Sequence, residues 1–194
     1  MHRTVTVLLG ALAGALVLNT APAARADGFA SFFSLPPINP QDGRPREASI
    51  PRETVPYNGP YGPGTILVST TERRLYLILP DHQALRYGVG VGRPGFEWNG
   101  AHVIVSKREW PDWTPPAQML RRRPDLPRHM AGGIDNPLGA RALYIGGTLY
   151  RIHGSNEPDT IGQAVSSGCI RMTNDDVTDL YGRVKVGTRV VVLR

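Results

Sequence analysis

The sequence predicts a mainly β domain with a few short helices at its periphery. Three observations support this fold class. Segments rich in β-branched and aliphatic residues recur from residue 65 to the end of the chain, turn-forming residues separate them, and only two segments carry helical signals. Residues 64–194 are numerous enough for a single domain with its own hydrophobic core, and no internal repeat divides them.

Seven apolar segments are predicted as strands. Residues 71–73 and 80–82 have turn composition and separate the first three segments. Gly146-Gly147 marks a two-residue hairpin, which places His153 at the end of a strand. The predicted strands are "TILVST" (65–70), "RLYLIL" (74–79), "ALRYGVGV" (84–91), "HVIVSK" (102–107), "ALYI" (142–145), "TLYRIH" (148–153) and "TRVVVL" (188–193).

Two helices are predicted. The first is short, covers residues 117–123 after a pair of prolines, and is stopped by Pro124. The second runs from about 175 to 186, with Asn174 as its N-cap and Gly187 after its last residue. Helical spacing places four apolar side chains on one face of this second helix: Val177, Leu180, Tyr181 and Val184.

Residues 1–26 have the features of a secretory signal peptide. A basic start precedes a mostly apolar run at 5–18, and residues 24–26 (ARA) supply the small side chains of a cleavage site. The apolar run is too short to span a bilayer comfortably, although an uncleaved anchor is the alternative. We therefore expect an exported protein that begins at Asp27, in the periplasm or cell envelope, without stable membrane insertion after cleavage.

Residues 27–63 differ in composition from the rest of the chain. They contain eight prolines and few aliphatic residues, which is typical of an extended arm or linker. We predict that this proline-rich segment lies outside the packed domain, and that the domain comprises residues 64–194.

The charge of the chain is basic. The 22 Lys and Arg and 16 Asp and Glu give a formal net charge of +6, and without Arg3 and Arg25 of the predicted signal peptide the net charge is +4. This balance suits an anionic cell envelope. We interpret Arg121-Arg122-Arg123 as a solvated helix end and expect no nucleic-acid partner. The glycine-rich run at 88–95 is followed by no helical pattern, so it does not indicate a nucleotide cofactor.

Cys169 is the only cysteine of the chain and stands in the segment "SSGCIR" (166–171). A lone cysteine forms no intramolecular disulfide and no zinc site, so it is either a small buried apolar residue or a reactive thiol. His153 precedes it with 15 residues between them. A histidine within hydrogen-bond reach takes the thiol proton and returns it to a leaving group, so this pair indicates nucleophilic catalysis.

The residues around Cys169 suit such chemistry. The backbone N–H groups of Ser167, Gly168 and Cys169 are candidates for an oxyanion hole, because Gly168 permits a tight turn without steric cost. Arg171 could hold a substrate carboxylate or brace the loop through an ion pair. Neither a metal site nor a cofactor is expected from these residues.

The segment "HG…SSGCIRM" resembles the signature of the YkuD family of L,D-transpeptidases, which is H-G-[TS], about fifteen residues, then S-x-G-C-[IV]-R-[ML]. The family usually has threonine at the position of Ser155, and many members have histidine at that of Ser167. The resemblance covers residues 64–194 and extends upstream through "ILVSTTERRLYLIL", "YGVGVGRPGFEW", "WPDWTPP" and "GGIDNPLGARALYIGG".

This resemblance implies a β-sandwich of mixed sheets and an L,D-transpeptidase catalytic domain acting in cell-wall biogenesis and cell shape. Cys169 would attack the L-centre carbonyl of the third residue of a peptidoglycan tetrapeptide stem, a meso-diaminopimelate, and expel D-alanine. His153 would act as base and then as acid. The acyl group would pass to an amine of another stem, a D-amino acid or an anchored envelope protein. The resemblance also implies acylation of Cys169 by carbapenems.

Alternatives to this reaction are an L,D-carboxypeptidase with water as the acceptor, and a non-catalytic peptidoglycan-binding envelope protein. Besides Arg171, five further residues are candidate substrate contacts: Ser166, Trp110, Trp113, Met130 and Asn136. The two tryptophans could instead form an apolar clamp in a lid, and Met130 and the turn at 136–139 could be scaffold.

Overall fold

The computed structural model describes residues 50–194, and strands dominate its secondary structure. The two helices are α1 (Ala117–Arg122) and α2 (Asn174–Arg183), and a short 3₁₀ turn covers Pro158–Thr160. The mainly β fold with few short helices is therefore confirmed. The strands are β1 (Glu53–Pro56), β2 (Ile66–Ser69), β3 (Arg74–Leu79), β4 (Gln83–Gly88), β5 (Val91–Gly92), β6 (Gly100–Glu109), β7 (Arg141–Ile145), β8 (Arg151–His153), β9 (Ala164–Ser166), β10 (Ile170–Arg171) and β11 (Arg189–Leu193).

Nine of these strands form one mixed sheet in the order β1-β4-β3-β2-β11-β6-β7-β8-β10, and β5 pairs with β9 in a second sheet. The pairs β2–β11, β8–β10 and β5–β9 are parallel, and the others are antiparallel. The expectation of mixed sheets is confirmed.

The long strand β6 connects the two halves of the large sheet. Its first part, residues 100–103, pairs with β11, and its second part, 104–109, pairs with β7. The register shifts between Ile104 and Ser106, and such an irregularity bends a strand and increases its twist. The sheet therefore curls at β6, so that side chains of β2 to β4 and of β7, β8 and β10 meet in one core cluster.

The core has two clusters because both faces of the central strands are covered. Alternate residues of β2 point to opposite faces, so that Ile66 and Val68 lie in the larger cluster and Leu67 lies in the smaller one. The larger cluster joins both halves of the sheet to the apolar face of α2 and includes Leu75, Ile104, Leu143, Ile152, Ile170, Met172, Val177, Leu180 and Val190. The smaller cluster is made by Val55, Tyr57, Leu67, Tyr76, Ile78, Ala84 and Val191.

All seven predicted strands are present, β3 with the predicted ends and the other six with shifted ends, but four strands were missed. The hairpin strand begins at Arg151 rather than 148, because Thr148 Oγ accepts a hydrogen bond from the Tyr150 N–H at 3.0 Å and keeps these residues in the turn. The missed strands β1, β5, β9 and β10 have only two to four residues each. A pattern of two or three residues is too short to recognise in a sequence, and the four residues of β1 lie in the proline-rich segment that was predicted as an arm.

Both predicted helices are present with different ends. The expectation that Asn174 caps α2 is wrong, because Thr173 Oγ accepts the hydrogen bond from the Asp176 N–H at 3.1 Å. The helix also ends at Arg183 instead of 186, since Val184 already has extended backbone angles. Neither helix of the described residues 50–194 has the length and apolar character that a bilayer span requires.

The end of the predicted arm belongs to the sheet. β1 pairs antiparallel with β4, and Val55 and Tyr57 are buried, so the predicted domain start at residue 64 excludes part of the fold. Pro56 fits this strand because β1 lies at the edge of the sheet, where one side needs no hydrogen-bond donor. The predicted signal peptide (1–26) and residues 27–49 of the arm lie outside the described residues.

We expect a chain that begins at Gly64 to be less stable than one that begins at Ile50. The shorter chain loses β1 and the buried side chains of Val55 and Tyr57, which corresponds to about 3–6 kcal/mol of apolar burial. Urea unfolding of the two chains, followed by circular dichroism, measures the difference. Equal midpoints and slopes would show that β1 contributes nothing to the stability of the domain.

Candidate active site

Cys169 lies in the tight turn that joins β9 to β10. Gly168 has φ +106°, a conformation that side chains disfavour, and a Cβ there would collide with the ring of Tyr150. The Gly168 carbonyl accepts a hydrogen bond from Trp98 Nε1 at 2.7 Å, and the Trp98 ring stacks on Tyr150 with 4.8 Å between centroids. Two packed aromatic rings therefore fix the backbone immediately before the cysteine.

Ser166 closes this turn from inside. Its hydroxyl donates to the Cys169 carbonyl at 2.7 Å and accepts from the Gly168 N–H at 3.1 Å. Ser166 was predicted to contact substrate, but its Oγ is committed to the backbone of the turn. Gly168 was one of three predicted oxyanion donors, and its N–H is likewise already used. Ser167 and Cys169 remain as the candidate donors.

Arg93 holds the same turn from outside and was missed in the sequence. Its guanidinium donates to Ser167 Oγ at 3.0 Å, and its backbone N–H donates to the Ser166 carbonyl at 3.0 Å. The guanidinium also lies over the Phe96 ring, 4.1 Å from the centroid, and Arg122 of α1 lies 5.7 Å from the same centroid. The Phe96 ring therefore lies between Arg122 of α1 and Arg93, which contacts the turn.

His153 occupies the end of β8 and is buried, with 4% of its surface exposed. Its Nδ1 lies 2.6 Å from the Gly154 carbonyl oxygen, which can only accept, so Nδ1 carries the proton and Nε2 is unprotonated in the neutral ring. Burial lowers the pKa of His153 to about 3, more than the Gly154 hydrogen bond raises it. The imidazole is therefore neutral at pH 7 and has one nitrogen free to accept a proton.

A compact turn supports the end of β8. Gly154 and Gly139 both pack against the side chain of Asn174, and a Cβ on either glycine would collide with its Oδ1. The same Oδ1 accepts from the Ala140 N–H at 2.8 Å. The first residue of α2 thereby fixes the position of the backbone that follows His153.

The pairing of β8 with β10 brings the cysteine to the histidine strand. The two strands are parallel, with Ile170 opposite Ile152 and Arg171 opposite His153. Cys169 comes one residue before this pairing and lies beside Arg151. Both residues line the same cavity. Burial raises the pKa of the Cys169 thiol, and the charges of Arg151 and Arg171 oppose that increase.

A cavity of about 930 Å³ opens over these residues. The connection between β6 and β7, which contains α1, forms one wall, and the turn between β7 and β8 forms another. His153 and Cys169 line the same cavity, so the thiol is accessible to a ligand. Its other lining residues include Phe96, Trp113, Met119, Arg122, Leu138, Leu149, Arg151, Ser166, Ser167 and Arg171.

Trp113 belongs to the cavity wall, but three other predicted substrate contacts do not. Trp110, Met130 and Asn136 are absent from the lining, and Met130 instead pairs with Trp113 through two backbone hydrogen bonds of 2.8 Å. Asn136 is buried, and its Nδ2 donates to the carbonyls of Pro111 and Ala131 at 3.1 and 2.9 Å. The amide of Asn136 therefore organises the loop, which is the scaffold alternative.

Arg171 lines the cavity and also forms an ion pair. Its Nη1 lies 2.9 Å from Glu157 Oε2, and its backbone forms two hydrogen bonds to Gly90. The bracing role considered in the sequence is thus present, while the side chain still faces the cavity.

Across residues 50–194, no three His, Cys, Asp or Glu side chains cluster in a way that could hold a metal ion.

Comparison with known proteins identifies the relatives of this chain. Residues 63–192 match the family model YkuD, the L,D-transpeptidase catalytic domain. The probable L,D-transpeptidase ErfK/SrfK of Escherichia coli K12 is 42% identical over 135 residues, which cover 66% of this chain and 43% of that protein. The chain thus spans less than half the length of this curated relative.

Two solved structures extend the comparison. The catalytic domain of the E. faecium L,D-transpeptidase acylated by ertapenem has a TM-score of 0.53 at 20% identity, covering 70% of this chain and 100% of that one. A Brucella melitensis structure described as a probable carnitine operon oxidoreductase has a TM-score of 0.50 at 46% identity, covering 74% and 94%. In this chain the glycine-rich run 88–95 contains the last residue of β4 and all of β5, and no helix follows it. The run therefore gives no support to a dinucleotide site.

Ser166→Ala should lower the free energy of unfolding by about 1–3 kcal/mol, because it leaves the buried Gly168 N–H without an acceptor. Ser167→Ala is the matched control: it removes only the acceptor of a partly exposed hydrogen bond from Arg93, and we expect a loss of less than about 1 kcal/mol. Urea unfolding measures both. Equal losses for the two variants would contradict the bracing role of Ser166.

Proposed function

The chain belongs to the YkuD family of L,D-transpeptidase catalytic domains, and from this premise we propose that it is a peptidoglycan L,D-transpeptidase. The observation that supports this most strongly is the pairing of a lone cysteine with a buried, neutral histidine in one cavity. A histidine in that state is ready to act as a general base. A merely structural cysteine needs neither the cavity nor the histidine.

The proposed reaction begins with attack by Cys169 on the L-centre carbonyl of the third stem residue, a meso-diaminopimelate. His153 Nε2 takes the thiol proton as the C–S bond forms. The N–H groups of Ser167 and Cys169 stabilise the oxyanion of the tetrahedral intermediate. The C–N bond then breaks, His153 returns the proton to the leaving amine, and D-alanine departs from a thioester at Cys169.

In the second half of the reaction an amine attacks the thioester. Its proton passes to His153, the new amide forms, and Cys169 leaves as the thiol after regaining that proton. The acceptor is an amine of another stem, of a D-amino acid or of an anchored envelope protein. If water takes the place of the amine, the enzyme is an L,D-carboxypeptidase.

The cavity suits the end of a stem peptide. Its volume of about 930 Å³ falls in the range of ligand sites. Four arginines, Arg122, Arg123, Arg151 and Arg171, line it, and the stem carries carboxylates on diaminopimelate and D-alanine that these cations attract. Trp113 adds an apolar wall for the stem. We propose that Arg171 contacts substrate in addition to bracing Glu157.

The remaining expectations fit the same proposal. A signal peptide at 1–26 would deliver the protein to the periplasm, where its substrate lies, for work in cell-wall biogenesis and cell shape. Carbapenems present a strained carbonyl to a thiolate, so Cys169 is the proposed site of their acylation. Among similar structures, the E. faecium enzyme is acylated by ertapenem.

Incubation of the protein with purified tetrapeptide stems, with products read by mass, tests the function. We expect loss of the terminal D-alanine and a stem joined to an amine acceptor. Cys169→Ala should give no product, and His153→Ala should be slower by about 10²–10⁴. His102→Ala is the matched control, because His102 Nδ1 also contacts a backbone carbonyl, that of Gly146 at 3.1 Å, but His102 does not line the cavity.

Each other outcome selects an alternative. Accumulation of tripeptide alone would establish the carboxypeptidase. Binding of stems without any change in their mass would support the non-catalytic binding protein and would contradict the proposal, as would full activity in Cys169→Ala.

A further inference from the structure

We propose that Arg151 is the cation that stabilises the negative charge of Cys169 as the thiol loses its proton. The sulfur would then be paired with a guanidinium rather than with an imidazolium. This inference deepens the proposed function and rests on it for the role of Cys169 as the nucleophile. Three features of the structure support it: the position of Arg151, its lack of another anionic partner, and the state of His153.

The position follows from the sheet. Because β8 and β10 are parallel and Ile152 lies opposite Ile170, the residue before each of these lies at the same level. Those residues are Arg151 and Cys169. Residues at the same level of neighbouring parallel strands project to the same side of a sheet, and Arg151 and Cys169 both line the cavity. The guanidinium is therefore a neighbour of the thiol that becomes negatively charged, and its charge opposes the increase that burial causes in the pKa of Cys169.

The charge of Arg151 has no other counter-ion among residues 50–194. None of the ion pairs formed there involves Arg151, and its Nε is buried without a hydrogen-bond partner in the described structure. The guanidinium lies over the Tyr144 ring, 5.4 Å from its centroid, which fixes its position without neutralising it. The buried Nε donor of Arg151 and its uncompensated positive charge both favour an anion close to this side chain.

The other charged groups near the sulfur are less suited to this task. Arg171, on β10, already pairs with Glu157 at 2.9 Å. His153, the neighbour on β8, is buried, and its low pKa disfavours the imidazolium form. On the facing wall of the cavity, Arg123 pairs with Asp125 at 2.6 Å, and Arg122 lies over Phe96. Arg151 is the cation that lies level with Cys169 on the neighbouring strand and has no anionic partner among residues 50–194.

The chemical step is a simple ionisation. The S–H bond breaks, and its electron pair stays on sulfur. The proton goes to water in the resting protein, or to Nε2 of His153 while the sulfur attacks the carbonyl. Arg151 keeps its protons throughout and supplies charge and hydrogen bonds alone. Its role therefore differs from that of the general base.

The test measures thiol ionisation without any peptidoglycan. Because Cys169 is the only cysteine in the chain, alkylation of the full chain by iodoacetamide, read by mass, reports this thiol alone. In Arg151→Gln we expect the thiol pKa to rise by about one unit. Alkylation would then be about tenfold slower at each pH below that pKa, and the rates would converge with those of the parent at high pH. Arg151→Lys keeps the positive charge. The logarithm of its alkylation rate should therefore lie at least halfway from that of Arg151→Gln to that of the parent.

Arg189→Gln is the matched control, since Arg189 lies over the Tyr61 ring at 5.5 Å, much as Arg151 lies over Tyr144, but on β11 away from the cavity. Its alkylation profile should coincide with that of the parent. A parent-like profile in folded Arg151→Gln would overturn the proposal. If that variant does not fold, Arg151→Lys decides, and a tenfold slower profile in folded Arg151→Lys would also overturn it. Failure of the stem-peptide reaction would leave this result unchanged, so the two proposals are tested separately.

Discussion

The site depends on one short parallel pairing, that of β8 with β10. Two residues on each strand set this register, with Ile152 opposite Ile170 and His153 opposite Arg171. The pairing joins β8 to β10, the strand that follows the cysteine turn. It thereby places Cys169 beside the strand that carries the buried His153. Both isoleucines are fully buried in the larger core cluster, so the hydrophobic core holds the register.

The surrounding structure fixes the two ends of this pairing. At the cysteine end, the Trp98–Tyr150 stack and the Ser166 hydroxyl leave the backbone of Gly168 one conformation. At the histidine end, Asn174 ties the backbone after His153 to the turn before β7. Burial keeps the imidazole neutral, and the Gly154 carbonyl determines which nitrogen is protonated. Packing therefore fixes the backbone at Cys169 and at His153, and burial determines the protonation state of His153.

The sequence was most informative where a pattern is long or a residue type is rare. Seven strands and both helices could be predicted because they lie in apolar or periodic segments of four or more residues, and Cys169 and His153, which line one cavity, could be selected because a lone cysteine stands out. Short strands such as β10 leave no such pattern. Arg151 and Arg93 could not be identified, because a single arginine has no signature in a sequence. The register of β8 and β10 places Arg151 level with Cys169, and the turn before β10 places Ser167 against Arg93. For Asn136 the sequence predicted a turn and left its role open between substrate contact and scaffold, because the carbonyls of Pro111 and Ala131 that accept from its amide are brought to it only by the fold.

His153 is neutral, with its proton on Nδ1 and with Nε2 free to accept another. Nitrogen-15 NMR of the histidine rings, with His153 assigned through a His153→Gln spectrum, observes this state directly between pH 7 and 4. We expect one protonated and one unprotonated nitrogen throughout this range, because burial lowers the pKa of His153 to about 3. A doubly protonated imidazolium at pH 6, or a proton on Nε2 at pH 7, would contradict it.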